Sequence, residues 1–141
     1  MMQKDKRYIA FVCTGNTCRS PMAEGIFNSL SQNIKAESFG VDTITLMPIS
    51  EKSVEVCKEI DVDISALSST YISDADIEKY EKFYCMSRSH AEVLAYEYGV
   101  PLSKIVILGV FDPYGGSLEI YRQCRDEIYN SVKEILKEYE D

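Results

Sequence analysis

Five consecutive apolar residues near the start of the chain, at 8–12, restrict the possible folds more than any other feature. The run reads Tyr-Ile-Ala-Phe-Val, which is typical of a strand buried on both faces of a sheet. A polar loop follows, and Pro21 then occupies the expected first position of a helix. This order of strand, loop and helix predicts the first unit of an α/β fold.

The same alternation of short apolar runs and amphipathic stretches continues along the chain. Further strands are predicted at 36–40, 82–86 and 105–108. With the helices between them, they predict an α/β fold with a four-stranded parallel sheet and helices on both faces. Ligands of such sheets bind beyond the carboxyl ends of the strands. A chain of 141 residues is expected to form one domain, over 1–141.

Serine residues mark the starts of the remaining predicted helices. Ser50 and Ser117 each precede a stretch with apolar residues at helical spacing, and a serine there can cap the first turn. Two further helices are predicted from capping boxes, in which an acidic residue stands three positions after a serine. The two pairs are Ser73 with Asp76 and Ser89 with Glu92.

The charge balance limits the partners that this chain can have. Fifteen Lys and Arg stand against 23 Asp and Glu, giving a net charge of −8, and the basic residues form no cluster. Nucleic-acid and membrane-surface binding depend on clustered positive charge, so neither is expected. An acidic protein that handles an anion needs a small local site with aimed amides and an arginine.

The N-terminal segment and the cysteines indicate a compartment. The apolar run after residues 1–7 is too short for a secretory signal or a membrane span. The chain is therefore expected in the cytoplasm, where its five cysteines would be thiols. Any disulfide would be transient or regulatory.

The loop after the first strand has the composition of an oxyanion site. It reads Cys-Thr-Gly-Asn-Thr-Cys-Arg-Ser over 13–20. The amides of such a loop can converge on one anion at a helix N-terminus, and Gly15 and Asn16 tolerate the left-handed backbone of a tight ring. Arg19 can bind two phosphate oxygens at once. The same dipoles and the guanidinium are expected to lower the pKa of Cys13 and make it a nucleophile.

Other interpretations of this loop fail on residue types. No Gly-Lys-Ser/Thr follows it, which excludes a nucleotide P-loop. A zinc site needs more ligands than Cys13 and Cys18, and the one histidine, His90, is far along the chain, where a surface or capping role is expected. Neither a metal nor another cofactor is therefore expected. The expected phosphate-binding residues are Thr14, Gly15, Asn16, Thr17, Cys18, Arg19 and Ser20.

The stretch 12–24, Val-Cys-Thr-Gly-Asn-Thr-Cys-Arg-Ser-Pro-Met-Ala-Glu, resembles the signature of the low-molecular-weight protein phosphatases. A second motif of that family, Asp112-Pro113-Tyr114, lies just beyond the fourth predicted strand. The two motifs stand near opposite ends, so the resemblance covers essentially the whole chain. It implies the phosphotyrosine phosphatase I-like fold, phosphorylated proteins as substrates, and a monomer.

The resemblance also implies a role for individual residues. Cys13 would attack phosphorus to give a phosphocysteine intermediate, while Arg19 and the loop amides bind the developing charge. Asp112 would protonate the leaving group and later deprotonate the attacking water. Asn16 and Ser38 would stiffen the loop through hydrogen bonds.

Two departures from the tyrosine-specific branch favour phosphoarginine as the substrate. The loop carries Thr17 where a bulky aliphatic residue is common, and Gly115-Gly116 follows the second motif where a second aromatic residue is frequent. The block 112–123 is similar to the bacterial protein-arginine phosphatases, which also carry threonine in the loop. The segment 42–48, expected at the pocket wall, contains no aromatic residue. Thr17 is the expected selector, and a protein-tyrosine phosphatase is the alternative.

Three further expectations concern the thiols and the class of protein. An arsenate reductase is not favoured, because it needs two more thiols close together: Cys85 could be one, but the next cysteine, Cys124, is expected to face the core of the last helix. A non-catalytic phosphoprotein-binding module would be expected to lack Cys13, Arg19 or Asp112, and all three are present. Since Cys13 and Cys18 share one tight loop, a reversible disulfide between them is expected to make the protein redox-sensitive.

Overall fold

The computed structural model describes residues 6–139. Within that range the chain forms four strands, four α-helices and three short 3-10 helices. The strands are β1 (Tyr8–Cys13), β2 (Lys35–Gly40), β3 (Tyr80–Cys85) and β4 (Ile105–Ile107). The helices are α1 (Arg19–Leu30), α2 (Glu51–Lys58), α3 (Arg88–Glu97) and α4 (Leu118–Leu136). The 3-10 helices are Ile72–Asp74, Ile77–Lys79 and Leu102–Lys104.

All pairs of neighbouring strands are parallel, and the strand order is β2-β1-β3-β4. The strand that precedes the cysteine loop, β1, therefore lies inside the sheet with a partner on each side. Its last residue, Cys13, pairs with Gly40, the last residue of β2. The carboxyl ends of both strands thus meet at one edge, where the sequence predicted ligand binding.

Successive side chains of β1 enter two separate cores, as the period of a strand requires. Ile9 and Phe11 belong to a cluster with buried residues of α1, α2 and α4, whereas Ala10 and Val12 belong to a second cluster with residues of α3. Helices therefore cover both faces of the parallel sheet, and the predicted fold class is confirmed. The predicted strand positions agree with the observed strands to within two residues.

Two of the predicted helix caps are confirmed and bond their own first turns. The Ser50 side chain accepts a hydrogen bond from the Ser53 amide, and Ser117 accepts one from the Ile120 amide. Each oxygen thereby satisfies a backbone donor that has no partner within its helix.

The other helix starts were wrongly predicted. Ser87, and not Ser89, caps α3, and His90 takes the third helical position that an acidic residue was expected to fill. Ser73 lies inside a 3-10 helix with no side-chain cap. Pro21 is the third residue of α1, because the helix already begins at Arg19. A proline within the first turn is tolerated, since the amide it lacks would have no partner in the helix.

The charged N-terminal stretch, 1–7, lies partly outside the residues that the structure describes, because residues 1–5 and 140–141 are not described. No helix in 6–139 combines the length and hydrophobicity that a membrane span requires.

Candidate functional site

The cysteine loop connects the end of β1 to the first turn of α1 and is pinned against the chain that leaves β2. The amides of Val41 and Asp42 donate to the carbonyl oxygens of Cys13 and Thr14, both at 3.0 Å. A Cβ atom on Gly40 would lie 2.7 Å from the Thr14 carbonyl oxygen. Glycine is therefore required at this close approach, which the sequence did not reveal.

Asn16 organises the loop from its buried centre. Its φ of 55° lies in the left-handed region, as its residue type predicted. Its side-chain oxygen accepts from the Thr70 amide at 2.7 Å, so its amide nitrogen points the other way. That nitrogen donates to Ser20 Oγ at 2.7 Å and to Ser38 Oγ at 2.9 Å. The predicted pairing of Asn16 with Ser38 is present, and Thr70 is a partner that the sequence analysis missed.

Behind this network lies a carboxyl group. Ser38 Oγ accepts from Asn16 and donates its own hydrogen to Glu24 Oε1 at 2.5 Å. Burial raises the pKa of Glu24 above its usual value, while the bond from Ser38 acts in the opposite direction. The chain of bonds anchors the loop to both α1 and β2.

The Cys13 sulfur lies inside this network, and its side chain is buried. Ser20 Oγ accepts from Asn16 and lies 2.9 Å from the sulfur, so its hydrogen is available to Sγ. The Asn16 backbone amide donates to the same sulfur at 3.3 Å. Both contacts stabilise a thiolate more than a thiol.

The expectation of a lowered thiol pKa is nevertheless wrong for this structure. Burial raises the pKa of Cys13 above its usual value and outweighs the hydrogen bonds of Ser20 and Asn16 and the positive charge of Arg19. A buried sulfur loses the solvation that a thiolate would receive in water. The thiol must therefore lose its proton before the sulfur can act as a nucleophile.

Arg19 joins the cysteine loop to the segment that follows β4. Its guanidinium is buried, donates to the Val110 carbonyl oxygen at 3.0 Å and lies 3.7 Å from the Asp112 carboxylate. The side chain of Asp112 is 52% exposed, and one of its oxygens accepts from the Tyr114 amide at 3.0 Å. The structure thus brings Asp112 close to Arg19 in the loop that begins at Cys13, although Asp112 lies far from both in the sequence.

A cavity of about 250 Å³ opens between these two segments. The lining residues are Cys13, Thr14, Gly15, Thr17, Cys18, Arg19, Asp112 and Tyr114. Asn16 and Ser20 support the loop from behind and are not among the residues that line the cavity. The wall expected from 42–48 is wrong for this cavity, since the exposed side chains of that segment point to solvent and Tyr114 supplies the aromatic surface.

Thr17 and Cys18 stand side by side on the cavity wall. Thr17 is half-buried, and its hydroxyl oxygen lies 3.9 Å from the Cys18 sulfur. Cys18 is nearly buried and lies 3.5 Å from the Tyr121 hydroxyl. Both predicted residues therefore have access to the volume in which Cys13 would act.

The glycine pair after Asp112-Pro113-Tyr114 forms a tight turn. The Gly116 amide donates to the Pro113 carbonyl oxygen at 2.8 Å, and Gly115 has a φ of 79°. A Cβ on Gly116 would lie 2.9 Å from that same oxygen. An aromatic residue at Gly116 would require a different turn.

His90 lies closer to the site than the sequence indicated. Its capping role in α3 is present, but its ring is buried and its Nε2 lies 2.8 Å from Thr14 Oγ1. Burial and the nearby Arg19 lower the pKa of His90 to about 4, while Asp112 acts to raise it. The spacing of three residues from Ser87 was the one available signal for this placement.

The remaining thiols do not line the cavity. Cys57, Cys85 and Cys124 are buried, and burial raises the pKa of each to about 12. Cys85 and Cys124 belong to clusters on opposite faces of the sheet, so they cannot form the relay of an arsenate reductase. Among residues 6–139, no three His, Cys, Asp or Glu side chains are arranged to hold a metal ion.

The sequence matches a known family and is similar to individual proteins of that family. The family model described as low molecular weight phosphotyrosine protein phosphatase matches residues 8–141. The protein-arginine-phosphatase of Bacillus subtilis is 32% identical, over 92% of this chain and 95% of that protein. The low molecular weight protein-tyrosine-phosphatase PtpB of Staphylococcus epidermidis is also 32% identical, over 94% and 99%.

Among solved structures, the YwlE arginine phosphatase in a mutant form with a phosphorylated active-site serine is similar to this chain. The TM-score is 0.87 at 30% identity, covering 93% of this chain and 94% of that one.

Proposed function

We propose, from the premise that the chain belongs to the low molecular weight phosphotyrosine protein phosphatase family, that it hydrolyses phosphoarginine in proteins. Residues 8–141, which match the family, would act as one phosphatase domain. The observation that carries the substrate assignment is Thr17, which places a hydroxyl on the wall of the cavity that also contains Cys13 and Asp112. A guanidinium requires polar partners of this kind, whereas a phenyl ring does not.

In the first step, Cys13 gives its thiol proton to solvent and attacks phosphorus as a thiolate, and the bond between phosphorus and the arginine nitrogen breaks. Asp112 gives its proton to that nitrogen, because a guanidine is too basic to leave without one. Arg19 and the loop amides bind the phosphoryl oxygens as charge develops. The products of this step are an unmodified arginine residue in the substrate protein and a phosphocysteine at Cys13.

In the second step, water attacks the phosphocysteine. Asp112, now a carboxylate, accepts a proton from that water, and the sulfur leaves as a thiolate. The hydrogen bonds to the sulfur from Ser20 and the Asn16 amide stabilise the leaving thiolate. Inorganic phosphate is released, and the thiolate takes up a proton from solvent, which returns the enzyme to its starting state. The phosphorylated serine in the similar YwlE structure supports a covalent intermediate at the nucleophile position.

Phosphotyrosine is the second candidate substrate, and one observation favours it. Tyr114 lines the cavity and its side chain is 82% exposed, so its ring is available to contact a phenyl group. The tyrosine phosphatase of Staphylococcus epidermidis is as similar to this chain as the arginine phosphatase of Bacillus subtilis is.

Hydrolysis of matched phosphoarginine and phosphotyrosine peptides, measured side by side as kcat/KM, tests the proposal. A larger value for the phosphoarginine peptide is expected, and a larger value for the phosphotyrosine peptide would replace it with the second candidate. Failure to hydrolyse even p-nitrophenyl phosphate would identify a non-catalytic phosphoprotein-binding module.

A redox function of Cys18 is part of the same proposal. A Cys13–Cys18 disulfide would form when peroxide oxidises Cys13 to a sulfenic acid, which Cys18 attacks with loss of water. Mild peroxide followed by peptide mapping should show that bond. If Cys18→Ala recovers activity with thiol as fully as the parent, Cys18 does not protect the nucleophile.

A further inference from the structure

His90 connects helix α3, which covers one face of the sheet, to the cysteine loop at the carboxyl end of β1. It belongs to the first turn of α3, which packs on the face away from α1, yet its Nε2 reaches Thr14 Oγ1 in the cysteine loop at 2.8 Å. The His90 residue is 1% exposed, whereas Thr14 is exposed at the cavity, so the bond joins a buried ring to an accessible hydroxyl. The catalytic steps above make no use of it.

The bonds around His90 define which ring nitrogen carries the hydrogen. The backbone amide of Ser87 donates to Nδ1 at 3.1 Å, and an amide nitrogen can only donate. Nδ1 is therefore the acceptor, and in the neutral ring the hydrogen is on Nε2. Nε2 consequently donates to the Thr14 hydroxyl oxygen. A protonated ring would set two donors, Nδ1 and the Ser87 amide, against each other.

The same bond determines that the Thr14 hydroxyl acts as a hydrogen-bond donor toward the cavity. Its oxygen accepts from His90, so its own hydrogen is available for donation to another group. Thr14 lines the cavity beside Cys13 and Arg19. A hydroxyl donor at this position adds to the backbone amides that face an anion in the loop.

We propose that His90 is a positioning residue that orients the Thr14 hydroxyl so that Thr14 donates a hydrogen bond to a phosphoryl oxygen of the substrate. This inference rests on the proposed function and assigns Thr14 and His90 a part in it. The charged groups near the ring on neighbouring elements are Arg19 on α1 and Asp112 after β4. Burial and Arg19 favour the neutral ring that this bond requires.

Three variants separate positioning from mere structural support. Thr14→Val removes the hydroxyl and keeps the shape of the side chain. His90→Asn keeps an acceptor near the position of Nδ1 for the Ser87 amide and loses the reach to Thr14. His90→Gln keeps a donor near the position of Nε2. Thermal unfolding shows which variants are folded.

The readouts are competitive inhibition by inorganic phosphate and the kcat and KM for p-nitrophenyl phosphate. We expect Thr14→Val and His90→Asn each to weaken phosphate binding roughly 10-fold, as for loss of a hydrogen bond to a charged group. The double variant should be no weaker than either single variant, because both remove the same bond. His90→Gln should recover part of the loss.

A second measurement avoids any variant at His90. The chain has one histidine, so its imidazole nitrogen NMR signals are unambiguous. They should show a hydrogen on Nε2 and none on Nδ1 at neutral pH. Inorganic phosphate should shift the Nε2 signal in the parent and not in Thr14→Val.

The outcomes distinguish this inference from the function on which it rests. Additive losses in the double variant, unchanged phosphate binding in Thr14→Val, or a hydrogen on Nδ1 would each overturn the role of His90 while leaving the phosphatase intact. Coupled losses of phosphate binding in a protein that hydrolyses no phosphomonoester would support His90 and overturn the function. A parent that does not bind phosphate would overturn both.

Discussion

The two segments that form the cavity are built in opposite ways. The cysteine loop is largely buried, with Thr14 exposed at the cavity, and its side chains bond to β2, to the chain near Thr70 and to α3. The segment after β4 is exposed: Phe111, Asp112 and Tyr114 face solvent, and Arg19 bonds to it from below.

This difference matches the chemistry proposed for each segment. Donors that bind a developing charge are effective only if they are already in place, which requires a rigid and fully bonded loop. A group that protonates the leaving nitrogen and then accepts a proton from the attacking water must be reached by that water, which requires exposure. We therefore expect substitutions in the loop to affect stability and activity, and substitutions in the exposed segment to affect activity alone.

The largest expected effect is that of Cys13→Ser. Turnover of p-nitrophenyl phosphate should fall on the order of 10⁶-fold, as for loss of an enzyme nucleophile, while inorganic phosphate should still bind through Arg19 and the amides. The matched control is Cys85→Ala, a buried thiol on the other face of the sheet, which should retain turnover. Measurable activity in Cys13→Ser above a hundredth of the parent would exclude Cys13 as nucleophile.

Asp112→Asn, in the exposed segment, should lower activity without changing the stability of the protein. Loss of general acid catalysis should lower kcat/KM about 10²–10⁴-fold for a phosphoarginine peptide, and less for p-nitrophenyl phosphate, whose leaving group needs little protonation. The melting temperature should stay the same. Equal losses on both substrates would remove Asp112 from the general-acid role.

Thr17→Ile tests the wall of the rigid loop as a selector. Added apolar bulk and a lost hydroxyl should change the ratio of kcat/KM for phosphoarginine over phosphotyrosine by about 10- to 200-fold, toward phosphotyrosine. Thr17→Val removes the hydroxyl without the extra bulk and separates the two causes. A change of less than about threefold would show that Thr17 is not the selector.

His90, which bonds to the cysteine loop, should make the free energy of unfolding depend on pH. Its folded pKa of about 4 is below the ordinary value of 6.5, so the unfolded chain takes up the proton first as the pH falls. Stability should therefore be lost as the pH falls from about 6.5 to about 4, by roughly 3 kcal/mol. Denaturant unfolding of the parent and of His90→Asn at a series of pH values isolates the contribution. Identical pH profiles would contradict it.

Ser38→Ala should have the smallest effect and shows the cost of loosening the network behind the loop. It removes the acceptor of Asn16 and the donor to Glu24, for a loss of about 1 kcal/mol of unfolding free energy. The exposed Ser73→Ala is the matched control and should be neutral. A fall in kcat at unchanged stability would mean that Ser38 acts on the chemistry more directly than the comparison of the two segments implies.

The sequence predicts those parts of the molecule whose signals are local. The apolar run at 8–12, the loop composition and the serine caps at Ser50 and Ser117 each depend on residues within a few positions, and the structure places them as predicted. The Ser89 cap was wrong because a histidine ring, and not a carboxylate, bonds back to the start of α3.

Contacts across the chain could not be predicted in this way. The amide of Thr70, the close approach of Gly40 and the bond from His90 to Thr14 all depend on how distant segments pack. The pKa of Cys13 was wrongly predicted for the same reason, since the local charges were visible in the sequence and the depth of burial was not.

The interior position of β1 in the sheet also determines how the protein unfolds. Amide hydrogens of a strand with partners on both sides exchange with solvent only when the whole sheet opens, whereas those of a short strand at the border exchange through local fraying. The amides of Ala10 and Phe11 should therefore exchange at the rate of global unfolding, and those of β4 much sooner. Because Cys13 is the last residue of the interior strand β1, unfolding of the border strand β4 alone does not displace the Cys13 sulfur.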